Sequence, residues 1–440
     1  MNNRIVMSFS ADAVQDGAAL PRAADVLVQH QRAGDSLIAV VSALPGVTNL
    51  LHESTQLGNY SRVHNKLLSM HTSIARTLVQ ESKDRALLIQ DVTDILETYN
   101  WVGRTMINRS PTSAEAATIL AIGERLVARL LAGHLQNRGV HVVHAGEMIV
   151  TDATYQAAVA DVAATRQRCA DKLVPLLEEG YIVIIGSGSG VTPEGKLTRL
   201  ADANVSGGLL AASSAATGLW IMTQQDGILT ADPQMVPDAR SVPVIASDLL
   251  TDLAHHGLNV PTASALAPAI EAQVPVFIRS IHNPTHPGTY IQPAPQAPGD
   301  ALPILIARKP IRAIHVTGSE HDSSDGVRAL AEERIDAMVG QAAPGTLDFF
   351  LRVEQANVAR LILSQAYPSA RIDAETEREG LIVLIGTDPD SAAYLARHLD
   401  SPARLVSMEG QGQHPAILLP EGSIEAAVEK IHNLTLPQSK

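Results

Sequence analysis

The feature that most constrains the fold is an alternation, over the first two-thirds of the chain, between short apolar runs and longer segments of helical periodicity. Apolar runs rich in valine and isoleucine are typical of strands buried on both faces, and strands that alternate with helices build a mainly parallel sheet. The predicted strands are Ile5–Met7, Ser36–Ser42, Val140–His144, Tyr181–Ile185 and Gly218–Met222. The predicted helices are Pro21–Gln31, Glu115–Arg138, Tyr155–Glu178 and Ser206–Ala216, with a helical insertion over about 51–108 at the edge of the sheet.

A proline-rich stretch between Asn283 and Pro303 predicts a domain boundary, because proline disfavours helix and sheet interiors. The order of elements beyond it is close to two βαββαβ, ferredoxin-like units. The order also allows one of the two units to be discontinuous in the chain. We therefore predict an α/β domain over residues 1–298 and a tandem pair of such units over 304–440. The predicted strands there are Ile311–Val316, Leu347–Val353, Gly380–Ile385, Ala403–Ser407 and Ala416–Leu419, and the predicted helices are Asp325–Met338, Ala356–Gln365, Ser391–His398 and Ser423–His432.

Composition limits the partners and the location of the protein. A formal charge of −13 argues against nucleic acid and against an anionic membrane surface, because neither would be neutralised. No apolar run approaches the roughly 18 residues of a membrane span. The single cysteine, Cys169, excludes a disulfide within the chain, and the histidines lack the Cys/Asp/Glu companions of a metal site. We expect a cytoplasmic protein without a metal centre.

Five stretches of the sequence together resemble the aspartokinase family of amino acid kinases, which carry a pair of small-molecule-binding ACT domains after the kinase domain. They lie in the family's order over nearly the whole chain: Val41–Leu51 (VSALPGVTNLL), Ile122–Leu126 (IGERL), Thr192–Lys196 (TPEGK), Thr230–Arg240 (TADPQMVPDAR), and Val274–Ile278 with Asn283-Pro284 and Pro287–Thr289. The resemblance implies an amino-acid-kinase-like parallel-sheet sandwich followed by two ACT-like units. It also implies that the protein binds aspartate or a related amino acid, and that ATP and Mg²⁺ are used if the chain is a kinase.

The resemblance implies phosphate-binding residues as well, and this sequence departs from most of them. Ser8–Asp12 (SFSAD) stands where the family has Lys-Phe-Gly-Gly-Thr, so the cation is lost and Asp12 adds repulsion. Asp202 falls near the family's substrate-binding arginine and Asn204 near its aspartate, while Asn259 replaces a lysine. We take Ser8, Asn204 and Asn259 as degenerate catalytic positions. Because phosphoryl transfer depends on positioning and electrostatics, we expect ordinary phosphorylation of the aspartate β-carboxylate to be lost or altered.

The nucleotide side of the family's cleft is also changed. The family's Trp-Thr-Asp-Val-Asp-Gly reads Met222–Gly227 (MTQQDG) here, so that Gln224 replaces an acid. The candidate nucleotide-side residues that match the family are Thr223, Asp226, Gly227 and Asp232.

Part of the family's amino acid pocket is kept. Thr48 and Glu124 match positions that contact bound aspartate, and the carboxylate of Glu124 is suited to an α-ammonium group. The structural alternative is that Thr48 caps the helix after Gly46 and Glu124 merely lies in a first helical turn. Gly186, Ser187 and Gly188 open a Gly-Ser-Gly-Ser-Gly loop after a buried strand, which is either a cradle for an anion or a permissive turn.

Three functions are consistent with these residues. The first is an aspartokinase-like enzyme of amino-acid-derived biosynthesis with altered catalysis. The second is a non-catalytic regulator or amino acid sensor related to a true aspartokinase, and the third is an active aspartate kinase with a rebuilt nucleotide site. We expect a homodimer, because paired ACT modules bury sheet edges against a partner, with a hetero-oligomer with a true aspartokinase as an alternative.

Overall fold

The computed structural model describes residues 3–106, 109–293, 302–318, 322–333, 335–341, 346–410 and 413–436. The chain forms two compact units, Met1–Gly227 with Ser264–Ile291, and Ile228–Ala263 with Gln292–Lys440. The segment 228–263 therefore groups with the C-terminal part of the chain, whereas the sequence alone suggests one boundary near residue 298. Within the described ranges, no helix is long and apolar enough to cross a membrane.

A mainly parallel sheet organises the first unit, as the apolar runs predict. Its strands are β1 (Arg4–Phe9), β2 (Ser36–Val41), β3 (Val142–His144), β4 (Ile182–Gly186), β7 (Gly218–Thr223), β9 (Val276–Ser280) and β10 (Thr289–Gln292), and a hairpin adds β5 (Ser189–Val191) and β6 (Leu197–Arg199). The order in the sheet is β3-β4-β2-β1-β7-β9-β10. All these neighbours are parallel except β10, which runs antiparallel to β9. The central strands are buried on both faces, which explains their continuous apolar sequences.

Helices cover this sheet, and several of them share one aliphatic core with it. They are α1 (Ala19–Arg32), α2 (Val47–Leu57), α3 (Tyr60–Leu78), α4 (Ser82–Thr105), α5 (Ser113–Leu120), α6 (Ile122–Asn137), α7 (Val162–Arg168), α8 (Val174–Glu178), α9 (Val205–Ser213) and α11 (Ala263–Glu271). The predicted helical insertion corresponds to α2, α3 and α4, although residues 107 and 108 lie outside the described part of the chain.

Two predicted helices of the first unit are wrong in extent. Glu115–Arg138 is not one helix but two, α5 and α6, with a break at Ala121. The break adjoins a tight contact, since a Cβ on Gly123 would lie 2.8 Å from the Cβ of Ala43, and helical periodicity carries no sign of such a contact. Tyr155–Glu178 becomes helical only at Val162, where Asp161 caps α7. The residues before it bond to β6 instead, with Ala158 N–H donating to Arg199 O at 2.8 Å.

The second unit contains a long strand that two ferredoxin-like modules share. Its elements are β8 (Val244–Ala246), α10 (Leu249–His255), β11 (Ile304–Thr317), α12 (Ser323–Glu332), β12 (Ala337–Gln341), β13 (Thr346–Arg352), α13 (Ala356–Ala366), β14 (Arg371–Ala374), β15 (Glu379–Ile385), α14 (Pro389–Arg397), β16 (Arg404–Met408), β17 (His414–Pro420) and α15 (Ile424–Thr435). Residues 304–308 of β11 pair with β15, and residues 311–317 pair with β13 and β14. The first module is thus inserted into the second, which makes the second discontinuous.

The predicted helix Asp325–Met338 is wrong at its end. α12 stops at Glu332, and Met338 lies in β12, a strand that the sequence analysis missed. β12 pairs with β13 of its own module and, through Gly340 and Gln341, with β16 of the other module. These long-range backbone pairings hold the strand, and local periodicity does not reveal them.

Candidate active site

The candidate site of the first unit lies at the carboxyl ends of its parallel strands. In open α/β sheets this edge is the usual place for ligands, because successive loops converge there. Backbone hydrogen bonds tie the loops together: Ser187 N–H donates to Val41 O at 2.9 Å, and Ser10 N–H donates to Met222 O at 3.1 Å. The fold therefore brings the predicted residues of β1, the Gly-Ser-Gly loop and β7 to one edge of the sheet.

Glu124 is the most deeply buried acid of this edge. It lies in the first turn of α6 with 3% of its side chain exposed, and its Oε1 accepts a hydrogen bond from Arg199 Nη1 at 2.8 Å. Its second oxygen, Oε2, is buried and has no hydrogen-bond partner among the described residues. Burial raises the pKa of the Glu124 carboxyl, and the nearby Arg199 guanidinium opposes that rise. One oxygen of this buried carboxylate is thus unsatisfied among the described residues, which is uncommon for a buried polar atom.

Arg199 was missed by the sequence analysis. It ends β6, and its side chain is 11% exposed. Its Nη1 also lies 3.5 Å from the carbonyl oxygen of Leu120, next to the break between α5 and α6. A signal was present: Arg199 is the one cation in residues 197–206, the segment in which the family's arginine is replaced by Asp202. Nothing in the sequence indicated that it reaches Glu124.

Two glycines of the Gly-Ser-Gly loop make room for this ion pair. A Cβ on Gly186 would lie 3.0 Å from the Cβ of Glu124. Gly188 has φ +66°, and a Cβ there would lie 2.8 Å from the Cβ of Ala203 and 3.3 Å from Arg199 Cζ. The loop is further held by Gly188 N–H, which donates to Ser206 Oγ at 2.8 Å. Ser187 is buried between the glycines, and its Oγ has no partner in the described structure.

Thr48 does not act as the helix cap that the structural alternative assumed. The N-cap position of α2 is Gly46, in the left-handed conformation and without a side-chain cap. Thr48 is the second residue of the helix and is half-buried. Its role as a ligand contact stays a prediction.

The segment at the end of the cleft beside β1, Ser8–Asp12, contains an acid and no lysine. Ser8 packs against α9, where a Cβ on Gly207 would lie 3.1 Å from the Ser8 Cβ. Ser10 Oγ lies within hydrogen-bond distance of the Asp12 carboxylate and 2.8 Å from Met222 O. Gln224 also bonds to Asp12. Its Nε2 donates to the backbone oxygen of Asp12 at 2.8 Å, and its backbone N–H lies 3.4 Å from Asp12 Oδ2. The Asp12 carboxylate is thus bound by the Ser10 hydroxyl and the Gln224 backbone, and the Gln224 side chain is bound by the Asp12 backbone.

The other predicted residues of the first unit are one degenerate catalytic position and three nucleotide-side residues. Asn204 is exposed before α9, and its N–H donates to Asp202 Oδ1 at 2.8 Å. On the nucleotide side, Thr223 is buried at the end of β7, and Asp226 Oδ2 accepts from Asn283 Nδ2 at 3.2 Å. Gly227, with φ +106°, is the last residue of the first unit before the chain crosses to the second.

Asp232 and Asn259 belong to the second unit. Asp232 Oδ1 accepts from the N–H of Gln234 at 2.9 Å, and Asn259 is exposed between α10 and α11. Their assignment to the nucleotide and catalytic groups stays a prediction.

A model of the amino acid kinase family matches residues 3–280. The chain belongs to the amino acid kinase family. Among its relatives in this family, the aspartokinase of Chlamydia trachomatis is 28% identical over 293 residues, a match that covers 65% of this chain and 64% of that protein. This match spans less than two thirds of the chlamydial protein's length. Lysine-sensitive aspartokinase 3 of Escherichia coli is 23% identical over 460 residues, which cover 98% of this chain and 99% of that protein.

Solved structures of the same kind share the fold of this amino acid kinase family member. Escherichia coli aspartokinase III in complex with lysine and aspartate superposes with a TM-score of 0.80 at 21% identity, over 98% of this chain and 99% of that chain. The same enzyme in complex with aspartate and ADP gives a TM-score of 0.70 at 21% identity, over 99% and 100% of the two chains. The predicted family and the predicted fold, a kinase-like domain followed by ACT-type modules, are both confirmed.

Proposed function

We propose that this aspartokinase-like protein binds aspartate or a related small amino acid in the cleft beside Glu124, and that ordinary ATP-dependent phosphorylation of the β-carboxylate is lost or altered. The observation that carries the proposal is the buried Glu124 carboxylate, which has one oxygen paired with Arg199 and the other unpaired. An α-ammonium group donates the charge-assisted hydrogen bond that such an oxygen lacks. Escherichia coli aspartokinase III was crystallised with aspartate, which supports an amino acid of this class.

The β1 end of the cleft argues against the usual phosphoryl transfer. A triphosphate needs cations or free N–H groups along its oxygens. Ser8 supplies no charge, and the Asp12 carboxylate adds a negative charge that repels phosphate. Removal of one stabilising group commonly lowers the rate roughly 10²- to 10³-fold, and several family groups are changed here together. ATP turnover by the family route is therefore expected to be very slow.

Magnesium does not fit the acids of this end as they stand. Mg²⁺ in kinases is held by one or two carboxylates together with phosphate oxygens. The two oxygens of Asp12 are directed at Ser10 Oγ and Gln224 N–H, and Asn204 provides an amide in place of the family's carboxylate.

The same observations favour a second function, an amino acid sensor or a non-catalytic regulator of a true aspartokinase. Both readings need the Glu124 pocket, and only the enzyme needs the β1 end. The acid at Asp12 and the missing cation at Ser8 are easier to reconcile with a sensor. An active aspartate kinase with a rebuilt nucleotide site would need cations supplied from elsewhere. Homodimer formation, a hetero-oligomer with an aspartokinase and a cytoplasmic location all stay predictions.

Calorimetry and a turnover assay test the proposal together. The full chain is titrated with L-aspartate, with other amino acids and with ATP, and MgATP turnover is followed in the presence of L-aspartate. We expect amino acid binding that the Glu124→Gln variant weakens, without turnover above a mock purification. Rapid MgATP-dependent phosphorylation of aspartate that the Glu124→Gln variant abolishes would contradict the loss of kinase activity. Absence of binding by every amino acid would contradict the pocket.

A further inference from the structure

The guanidinium of Arg199 has one edge in use and one edge free. Nη1 bonds to Glu124 Oε1 at 2.8 Å and lies 3.5 Å from Leu120 O. Neither Nε nor Nη2 makes a hydrogen bond within the described part of the chain, and the side chain remains 11% exposed. An arginine presents its donors as a planar fork that matches the two oxygens of a carboxylate. The Nε–Nη2 edge can therefore donate two parallel hydrogen bonds to a carboxylate.

The backbone of Arg199 is fixed on both sides, so the fork has a defined position. Arg199 pairs with Ser189 in the β5–β6 hairpin. Its N–H donates to Tyr155 O at 2.7 Å, and its carbonyl accepts from Ala158 N–H at 2.8 Å. Gly188 lies so close to the guanidinium carbon that its backbone forms one wall of the site. A rigid backbone and a salt bridge together pre-organise the side chain before a ligand arrives.

The unpaired atoms of the two side chains are complementary to a single ligand. Among the described residues, Glu124 Oε2 has no donor. The hydrogen bonds of the Arg199 side chain to these residues both run through Nη1, so Nε and Nη2 have no acceptor there. An α-amino acid carries an ammonium donor and a carboxylate acceptor on adjacent carbons. The loop that would otherwise supply a cation, Asp202–Asn204, contains none.

On the basis of the proposed function, we infer that Arg199 is the specificity-determining residue of the pocket: it binds the α-carboxylate of the ligand and at the same time holds Glu124 ionised for the α-ammonium group. The pocket then selects zwitterions. It discriminates against amines that lack an α-carboxylate and against dicarboxylates that lack an ammonium group.

Three probes that differ by one group test this assignment: L-aspartate, β-alanine, which lacks the α-carboxylate, and succinate, which lacks the ammonium. Calorimetry on the full chain should show wild-type protein binding L-aspartate at least tenfold more tightly than either analogue. In Arg199→Gln the preference for L-aspartate over β-alanine should disappear. In Arg199→Lys the charge beside Glu124 is kept but the fork is lost, so β-alanine should bind as it does to wild type while L-aspartate binds about tenfold more weakly.

Arg129→Gln is the matched control, because it breaks another arginine–carboxylate pair, with Asp91, which includes neither Glu124 nor Arg199. It should leave all three affinities unchanged, and circular dichroism verifies the fold of each variant. If Arg199→Gln and Arg199→Lys both keep the full preference for L-aspartate over β-alanine, the assignment of Arg199 is wrong although the amino acid site stands. If wild type binds no amino acid, the proposed function itself fails, and the assignment fails with it.

Discussion

Arg199 and Glu124 lie 75 residues apart in the chain, and their side chains meet at 2.8 Å inside the first unit. The pair neutralises a carboxylate of which only 3% is exposed, and it leaves Oε2 of that carboxylate without a partner. The ion pair and the unpartnered oxygen both have measurable consequences for binding and for stability.

Replacement of Glu124 by glutamine should weaken amino acid binding roughly 10- to 150-fold, because hydrogen bonds to charged groups contribute about 1.5–3 kcal/mol. The change also leaves Arg199 without its counter-ion, and loss of one partner of a buried pair costs about 3 kcal/mol. Calorimetry measures the first effect. Tryptophan fluorescence during urea unfolding measures the second, since Trp101 and Trp220 both lie in the first unit. Unchanged affinity in this variant would remove Glu124 from the pocket.

The affinity for amino acids should fall on acidification at a higher pH than it would for an ordinary carboxylate. Burial raises the pKa of Glu124 above its usual value of 4.5, and only the ionised form accepts from an ammonium group. The same shift means that the folded state holds the proton more tightly than the unfolded state. The contribution of Glu124 to stability therefore declines as the pH rises from the unfolded pKa through the folded one. Calorimetry between pH 4 and 8 measures the loss of affinity, and the residual binding of Glu124→Gln should lack it.

Gly188→Ala should disturb the pocket, whereas Gly195→Ala should not. Both glycines have positive φ, +66° and +87°, but a Cβ on Gly188 meets Ala203 and Arg199 while a Cβ on Gly195 meets nothing within 4 Å. Backbone strain of about 1 kcal/mol is common to both, and overpacking adds about 1–3 kcal/mol at Gly188 alone. Thermal unfolding and aspartate titration of the two variants separate the effects. Equal losses would show that strain alone matters.

Removal of the charge at Asp12 should increase the affinity for ATP. In Asp12→Asn the repulsion of phosphate is relieved, and an effect of about 1 kcal/mol corresponds to roughly fivefold tighter binding. Titration with ATP at low salt checks this. Asp25→Asn is the control, because Asp25 pairs with Arg138 on an exposed surface. Tight ATP binding by the wild-type protein would contradict the view that the β1 end repels phosphate.

The second unit should lose stability as the pH rises through the pKa of His315. Its Nδ1 lies 2.7 Å from Asp348 Oδ1, and its Nε2 lies 3.4 Å from Glu375 Oε1. The hydrogen bond to Asp348 raises the pKa of His315 above 6.5, so its stabilising effect is complete below 6.5 and is lost above the folded pKa. Asp348→Asn should reduce this pH dependence, with Glu375 left as the remaining carboxylate partner, and should cost about 1–3 kcal/mol at pH 6. Circular dichroism follows the unfolding of the whole chain and tryptophan fluorescence that of the first unit, so a comparison of the two reports on the second unit. An undiminished pH dependence in Asp348→Asn would assign it to another group.

The sequence by itself determined the parallel sheet, because strands such as Ser36–Val41 and Ile182–Gly186 are buried on both faces and therefore carry uninterrupted apolar sequence. It also determined the family, because the matching segments are continuous in the chain. Tertiary structure alone decided the rest. β12 is a strand because β13 and β16 pair with it, and α5 and α6 separate beside a tight contact at Gly123. The meeting of Arg199 with Glu124 likewise depends on how the β5–β6 hairpin and α6 pack, and contacts between distant segments leave no periodic trace in a single sequence.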